Sequence, residues 1–305
     1  MLAKPLLSLL LLTVLPGASS GAAQTSLPPP APSAASPDAG ERPLPELAPF
    51  LQEVRERLHS DEVLLDQYTF TEKHTERELD ARGGVRKVKT ETYEVYPSLE
   101  PGHTYRRLVE KNGRALDARE LAAEDRKHEK KVADDGTSEE IERRRAARLA
   151  QSRKREESGV QQVFRIYDIT VSGREILDGR PSIVLSFRPR PNVEASGRAG
   201  RVLKVLAGRA WIDEQDRQLV RVDAELVDNL SLGLGVLARL HKGSRASLLR
   251  RKVNGEIWLP AQARFSGSAR LLLFKGLRLD GLSEYSDYRK FQVATSTDIS
   301  PPSSQ

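Results

Sequence analysis

Alternating apolar and polar residues dominate the second half of the chain. The longest run is EIWLPAQARFSGSARLLLF at 256–274, in which every second residue from Ile257 to Leu273 is apolar or small. Such alternation predicts a half-buried β-strand. The middle of the apolar face is mostly alanine and glycine. The pattern therefore leaves open whether large neighbouring side chains or a ligand fill the space above these small residues.

Shorter alternating runs predict further strands joined by tight turns. Residues 68–97 predict a long hairpin that is polar on both faces in its middle, so we expect its outer half to project into solvent. The segment 228–243 contains Gly233 and Gly235, which weaken any helix or strand. It is expected to be either a buried sheet edge or a flexible lip over an apolar site. The predicted turns lie at Gly83-Gly84, Asn112-Gly113, Asp178-Gly179 and 213–216.

Helical spacing occurs in three places. One apolar stripe begins at Leu47 and includes Phe50 and Val54, and a short helix is expected at 198–208. Residues 117–157 are strongly charged, with possible capping boxes at their start and at Thr137. This charged region is expected to be either a solvated helical hairpin or a docking element for a charged partner.

These elements predict an α+β fold. We expect a long curved antiparallel β-sheet, or half-barrel, with helices covering its concave face and a charged helical insertion at 117–157. The expected organisation is a signal peptide at 1–23, a disordered Pro/Ala/Ser linker at 24–45, a single domain at 46–294 and a disordered tail at 295–305.

The N-terminal pattern favours export. Lys4 precedes the apolar run PLLSLLLLTVLPG, and small residues then lead to Ala23, where cleavage is expected. The sequence contains no cysteine, which excludes disulfides and a lipid-modified cysteine. A periplasmic or secreted protein without a further transmembrane segment is therefore expected. The net charge of +6 indicates solubility and weak attraction to an anionic membrane, and nucleic acid is not an expected partner.

No motif for catalysis or metal binding is present in the sequence. The five histidines lack ligand-spaced neighbours, and no nucleophile elbow or phosphate loop occurs. We expect neither an enzyme nor a cofactor. Catalytic groups can nevertheless converge from distant positions, so an envelope hydrolase stays open as an alternative.

An apolar cleft is the functional site that alternation favours, against the alternative that the same face is packed core. Its expected ligand is a lipid or the acyl chains of a lipoprotein, because each buried methylene contributes about 0.8 kcal/mol. An envelope sensor or scaffold that binds a protein partner through the charged helices is the second reading. The residues expected to line the cleft are Ile183, Leu185, Phe187, Val222, Ala224, Leu226, Ala261, Ala263, Phe265, Ala269 and Leu271.

The strand-rich region resembles a known family. GRAWIDEQDRQLVRVDAEL, HKGSRASLLRRKVNGEIWLP, LLLF and EYSDYRKF are similar to segments of the outer-membrane lipoprotein carrier superfamily, which includes LolA, LolB and RseB. The resemblance covers roughly residues 160–291. It implies a half-barrel closed by helices, with an apolar cavity for acyl chains, in an uncharacterised branch of that group. The charged region at 117–157 looks like an addition to this fold, and no functional residue is carried over.

Overall fold

The computed structural model describes residues 42–57, 68–96, 104–133, 140, 143, 147, 161–195, 197–232, 238–271 and 275–290. Its helices are α1 (Leu47–Arg57), α2 (Ala118–Ala133) and α3 (Gly197–Leu203), and a helical turn occupies 161–166. Its strands are β1 (Tyr68–Leu79), β2 (Val85–Tyr96), β3 (Tyr105–Lys111), β4 (Arg114–Ala115), β5 (Tyr167–Leu177), β6 (Arg180–Pro189), β7 (Leu206–Asp213), β8 (Leu219–Leu226), β9 (Leu230–Leu232), β10 (Ala238–Leu240), β11 (Arg245–Val253), β12 (Ile257–Leu271) and β13 (Lys275–Lys290).

All described strands belong to one antiparallel sheet. Its order is β4-β3-β2-β1-β13-β12-β11-β8-β7-β6-β5, and the short pair β9–β10 extends from β12. The strands between β5 and β13 follow one another in sequence order, whereas the N-terminal strands join by pairing β1 with β13. The sheet is open, since β4 and β5 at its two ends do not pair with each other. The predicted α+β class with a large antiparallel sheet is confirmed.

The hairpin turns follow from their sequences. Asn112 and Gly113 have φ values of 51° and 78°, and Asp178 and Gly179 have 50° and 73°. Two successive residues with positive φ match the right-handed twist of the flanking strands, and the pairs Asn-Gly and Asp-Gly tolerate this conformation best. The turns predicted at both pairs are therefore confirmed.

Helices α1 and α3 pack on the same face of the sheet, which we call the inner face. Phe50 and Val54 of α1 are 2% and 5% exposed, and they pack on residues of β5 to β8. Val202 of α3 packs on Ala224, Leu226 and other side chains at the far ends of these strands. The predicted covering of one sheet face by these two helices is confirmed.

Helix α2 lies against β3 at the edge of the sheet. It begins with the predicted capping box, since the Glu120 backbone N–H donates to Asp117 Oδ1 (2.8 Å) and the Asp117 N–H donates to Glu120 Oε2 (2.9 Å). On β3, the ring of Tyr105 stacks on His128 at 4.1 Å. Most of the second charged helix, including its capping box at Thr137, lies outside the described residues.

One expectation about the N-terminal hairpin is wrong. The outer half of the β1–β2 hairpin was expected to project into solvent, but β1 pairs with β13 from Tyr68 to Leu79 as well as with β2. The last strand of the chain supplies a neighbour that the local sequence does not reveal. In the segment 228–243, Leu230 and Leu240 are buried, as a sheet edge requires, and 233–237 lie outside the described residues. The expected signal peptide and tail also lie outside them.

Candidate functional site

The inner face is apolar on one side of the sheet and charged on the other, and the change falls between β12 and β1. Directly paired residues of antiparallel neighbours share a face, so the strand registers define a transverse row. We call it row one. It runs from β5 to β3 through Val171, Leu185, Ala210, Val222, Leu248, Ala263, Ser283, His74, Glu91 and Lys111.

A second row on the same face repeats the change. Row two runs from β5 to β2 through Ile169, Phe187, Gly208, Ala224, Ala246, Phe265, Gly281, Glu76 and Lys89. In both rows the apolar side chains end at β12, and β1 begins the charged set. We call the part on β5 to β12 the apolar half and the part on β13 to β3 the charged half.

The structure brings most of the predicted lining residues together in the apolar half. Those on β6 and β8, together with Ala263, Phe265 and Ala269 on β12, share the inner face, as the alternation predicted. Helix α1 contacts the group of Ile183, Leu185 and Val222. A second cluster, which includes Val202 of α3, joins Phe187, Ala224, Leu226, Phe265 and Ala269. Much of the predicted lining is therefore contacted by helices, and its role in binding a ligand stays a prediction.

Two predicted positions differ from the rest. The register between β11 and β12 shifts, so that Leu249 faces Gln262 whereas Arg250 faces Pro260. Ala261 lies at this β-bulge without a partner on β11, and the alternation expected from Ile257 onward is interrupted there. The Leu271 backbone continues β12 opposite Ala238, but the Leu271 side chain lies outside the described residues.

A strip of small residues separates the helix-covered part from the charged half. Ala246 and Gly281 flank Phe265 across β11, β12 and β13, and Ala246 and Phe265 are both half-buried. One end of the strip is filled, because a Cβ at Gly267 would come within 2.4 Å of Ser244 Oγ. Around Ala246, therefore, the inner face carries short side chains beside Phe265 and is partly accessible to solvent.

The charged half is a connected network rather than a set of solvated side chains. His74 Nδ1 lies 3.1 Å from Ser283 Oγ, and Ser283 is 3% exposed. The Tyr93 hydroxyl donates to Glu91 Oε2 at 2.9 Å, and Lys89 Nζ lies 2.9 Å from the same oxygen. Each of these groups is partly withdrawn from water by its neighbours on the sheet.

A second carboxylate, that of Glu72 on β1, holds the outer end of this network. Arg106 donates to Glu72 Oε2 from Nε and Nη2 at 3.1 and 2.7 Å, and its guanidinium lies over the Tyr93 ring at 4.4 Å. An arginine that both forks onto a carboxylate and stacks on a ring has little freedom to move. The network is therefore held in one arrangement across three strands.

Burial shifts the ionisation of this network. It lowers the pKa of His74 below the ordinary imidazole value, against the opposing charges of Glu72 and Glu91. Burial also raises the pKa of the Glu76 carboxyl. It acts in the same direction on Glu91, but hydrogen bonds from Lys89 and Tyr93 outweigh it and leave the pKa of Glu91 below its ordinary value. At neutral pH the His74 imidazole is thus uncharged.

The Ser283–His74 pair does not by itself form a nucleophilic site. Activation of a serine requires a base oriented by a third group and donors for an oxyanion. Among the described residues no hydrogen bond joins His74 to a carboxylate, and its cross-strand partner Glu91 is held by Tyr93 and Lys89. Ser283 lies within β13 between two paired strands, so the sheet uses the backbone donors around it.

Two further properties of the described residues bear on function. They contain no group of three or more histidine, aspartate or glutamate side chains placed to hold a metal ion. Within the same ranges, no helix has both the length and the apolar character needed to span a bilayer.

The charged half was not anticipated from the sequence. Glu72, His74 and Glu76 alternate along β1, but alternation of polar residues is equally typical of an exposed hairpin. Their importance depends on the pairing of β1 with β13, which brings Ser283 beside His74 across 209 positions of sequence. No local signal reports a contact at that separation.

Comparison with solved structures finds several similar chains. The chain is similar to a LolA superfamily protein from Nitrosomonas europaea, with 11% identity, a TM-score of 0.28, and coverage of 80% of this chain and 93% of that one. A putative outer membrane lipoprotein-sorting protein domain from Vibrio parahaemolyticus also has 11% identity and a TM-score of 0.28, with 82% and 93% covered.

A third similar structure is the MucA/MucB complex of Pseudomonas aeruginosa, with 11% identity, a TM-score of 0.21, and coverage of 80% of this chain and 99% of that one. No protein-family model matches the sequence, and no curated protein matches it.

Proposed function

We propose that the protein is a non-catalytic, carrier-like protein of the bacterial envelope that binds an amphiphile with an acyl chain on the inner face. The observation that carries this proposal is the change from apolar to charged residues along rows one and two. An amphiphile has the same division, so its chain would contact the apolar half and its polar end the charged half.

The place of the acyl chain follows from the low strip around Ala246. Side chains packed on α1 and α3 bury much of the apolar half, whereas Ala246 and Phe265 are only half-buried and stay accessible to a ligand. Each methylene removed from water there contributes about 0.8 kcal/mol. Micromolar binding corresponds to about 8.2 kcal/mol, so roughly ten methylenes have to be buried, or fewer where the polar end also contributes.

The polar end would meet a network that already holds both signs of charge. Glu76 and Lys89 face each other across β1 and β2, next to Gly281 at the boundary of the apolar half. A charged or hydrogen-bonding group at this boundary can replace water on these side chains. The network is rigid, so it would orient the ligand rather than close over it.

The test compares two neighbouring residues on opposite faces of β11. Ala246→Trp fills the strip on the inner face, and Ser247→Trp adds the same bulk on the outer face as the matched control. Both purified proteins are titrated with a fluorescent fatty acid. We expect the affinity to fall at least tenfold for Ala246→Trp, about 1.4 kcal/mol, and to stay at the wild-type value for Ser247→Trp. Equal affinities, or no uptake by the wild type, contradict the proposal.

A further inference from the structure

The outer face of the sheet carries a pair of arginines that face each other without a counter-charge. Arg239 of β10 is the direct partner of Arg270 of β12, and both side chains are exposed. Neither makes an ion pair with a carboxylate of the described residues. Like charges placed directly opposite each other in a ladder destabilise the pairing, so the local sheet gains nothing from this arrangement.

Further arginines surround this pair on the same face. Arg278 is the partner of Ser268 on the strand next to Arg270, and its Nη1 donates to the Ala81 carbonyl at 2.9 Å. Arg264 lies further along β12 and is 54% exposed. From strand geometry, these four side chains extend over roughly 20 Å of a nearly continuous surface.

The carboxylates near this surface are already occupied. Asp280 accepts from Arg77 at 3.2 Å and from Arg264 at 2.8 Å, so one carboxylate serves two guanidiniums. Glu225 on β8 is paired with Arg245 at 3.0 Å. The surface therefore has excess positive charge, and Arg239 and Arg270 contribute the unmatched part of it.

We infer that this arginine surface, formed by Arg239, Arg264, Arg270 and Arg278, docks the protein on an anionic phospholipid bilayer. Charge complementarity supports this occupant, because basic clusters on a flat surface are attracted to anionic headgroups. The extent of the surface points to a bilayer rather than to a small soluble anion, because four guanidiniums spread over roughly 20 Å can contact several headgroups at once.

The arginine surface lies on the face opposite to the amphiphile site, so bilayer docking and amphiphile binding can each be absent without the other. The full-length chain is expressed, and the purified protein is floated with vesicles of equal parts phosphatidylglycerol and phosphatidylcholine. We compare Arg239→Glu/Arg270→Glu with Arg201→Glu/Lys204→Glu. The second variant makes the same charge change at exposed positions in and next to α3, on the inner side of the sheet.

The bound fraction of the wild type should be high with anionic vesicles, low with pure phosphatidylcholine, and reduced by added salt. The partition coefficient should fall at least roughly tenfold for Arg239→Glu/Arg270→Glu and by much less for the control. Equal losses in the two variants would assign the binding to net charge alone and overturn the inference. Absence of wild-type binding to anionic vesicles would overturn it as well.

Folding of the variants is checked by circular dichroism. Arg239→Gln/Arg270→Gln is measured in parallel, because it removes the two charges without introducing acids. We expect this variant to melt no lower than the wild type, because it removes a like-charge pair, and yet to bind anionic vesicles several-fold more weakly. Wild-type binding by a folded Arg239→Gln/Arg270→Gln protein would contradict the inference.

Discussion

The two halves of the inner face share one sheet and are built on different physical principles. The apolar half is fixed by packing, since α1 and α3 bury side chains such as Ile183, which is fully buried. The charged half is fixed by hydrogen bonds and ion pairs, of which the Arg106–Glu72 contact is the clearest. The described residues of β1 to β3 and β13 take no part in the apolar clusters beneath α1 and α3. Stability and recognition are therefore expected to separate along the line between β12 and β13.

The largest expected effect is on stability, in the apolar half. Leu185 is 4% exposed and packs in the cluster beneath α1. Leu185→Ala should lower the free energy of unfolding by about 2 to 5 kcal/mol, because it leaves a cavity that the helix cannot fill. Urea denaturation measures this. Val227→Ala is the control, because Val227 is 42% exposed and its truncation should cost less than about 0.5 kcal/mol.

Removal of an ion pair from the charged half should lower the free energy of unfolding much less. Glu72→Gln removes the ion pair with Arg106, whose side chain is 45% exposed. Solvent screens such a pair, so we expect a loss of about 1 kcal/mol or less in the same denaturation experiment. A loss as large as that of Leu185→Ala would contradict the division of the face into a packed half and a recognition half.

The sequence was informative about one half and not the other. Alternation on β6, β8 and β12 predicted which side chains point inward, because burial of one face imposes a period of two on the strand. The turns at Asn112 and Asp178 were predictable for a local reason, since few residues tolerate positive φ. The packing of α1 on this face also followed from its stripe.

The charged half could not be predicted from the sequence, because it depends on pairing between strands that are distant in the chain. The β1–β2 hairpin has little apolar signal, so only the structure shows that β13 covers its edge and places Ser283 against His74. The bulge at Ala261 was likewise hidden, because a one-residue shift leaves the apolar composition unchanged. The lining of a binding site remains a prediction for the same reason, since alternation identifies a buried face but not what fills it.

A pH dependence of stability should be confined to the charged half. The pKa of His74 is lower in the folded protein than in the unfolded chain because of burial. The unfolded state then binds more protons, so stability is full above the unfolded histidine value of about 6.5 and is lost as the pH falls through it. Melting temperatures between about pH 8 and 5 should decline less steeply for His74→Gln than for the wild type. Parallel curves would exclude His74 as the source.

The smallest expected effect is a gain. Arg239→Glu converts the like-charged pair with Arg270 into an opposite-charged one on an exposed ladder position. Such cross-strand pairs contribute roughly 0.2 to 1 kcal/mol, so the melting temperature should rise slightly. Arg188→Glu is the opposite control, because it places a like charge beside its partner Asp168 on β5 and should lower the melting temperature slightly. A drop in melting temperature for Arg239→Glu would show that the arginine pair contributes to folding.

Whether an acyl chain occupies the inner face can be measured directly. The protein is purified without detergent after expression in a bacterial periplasm, examined by native mass spectrometry, and then extracted for lipids. We expect a bound species with the mass of an amphiphile, which organic extraction recovers and which Ala246→Trp loses while Ser247→Trp retains it. A protein of apo mass that also takes up no added fatty acid would contradict it, and the apolar half would then be packed core alone.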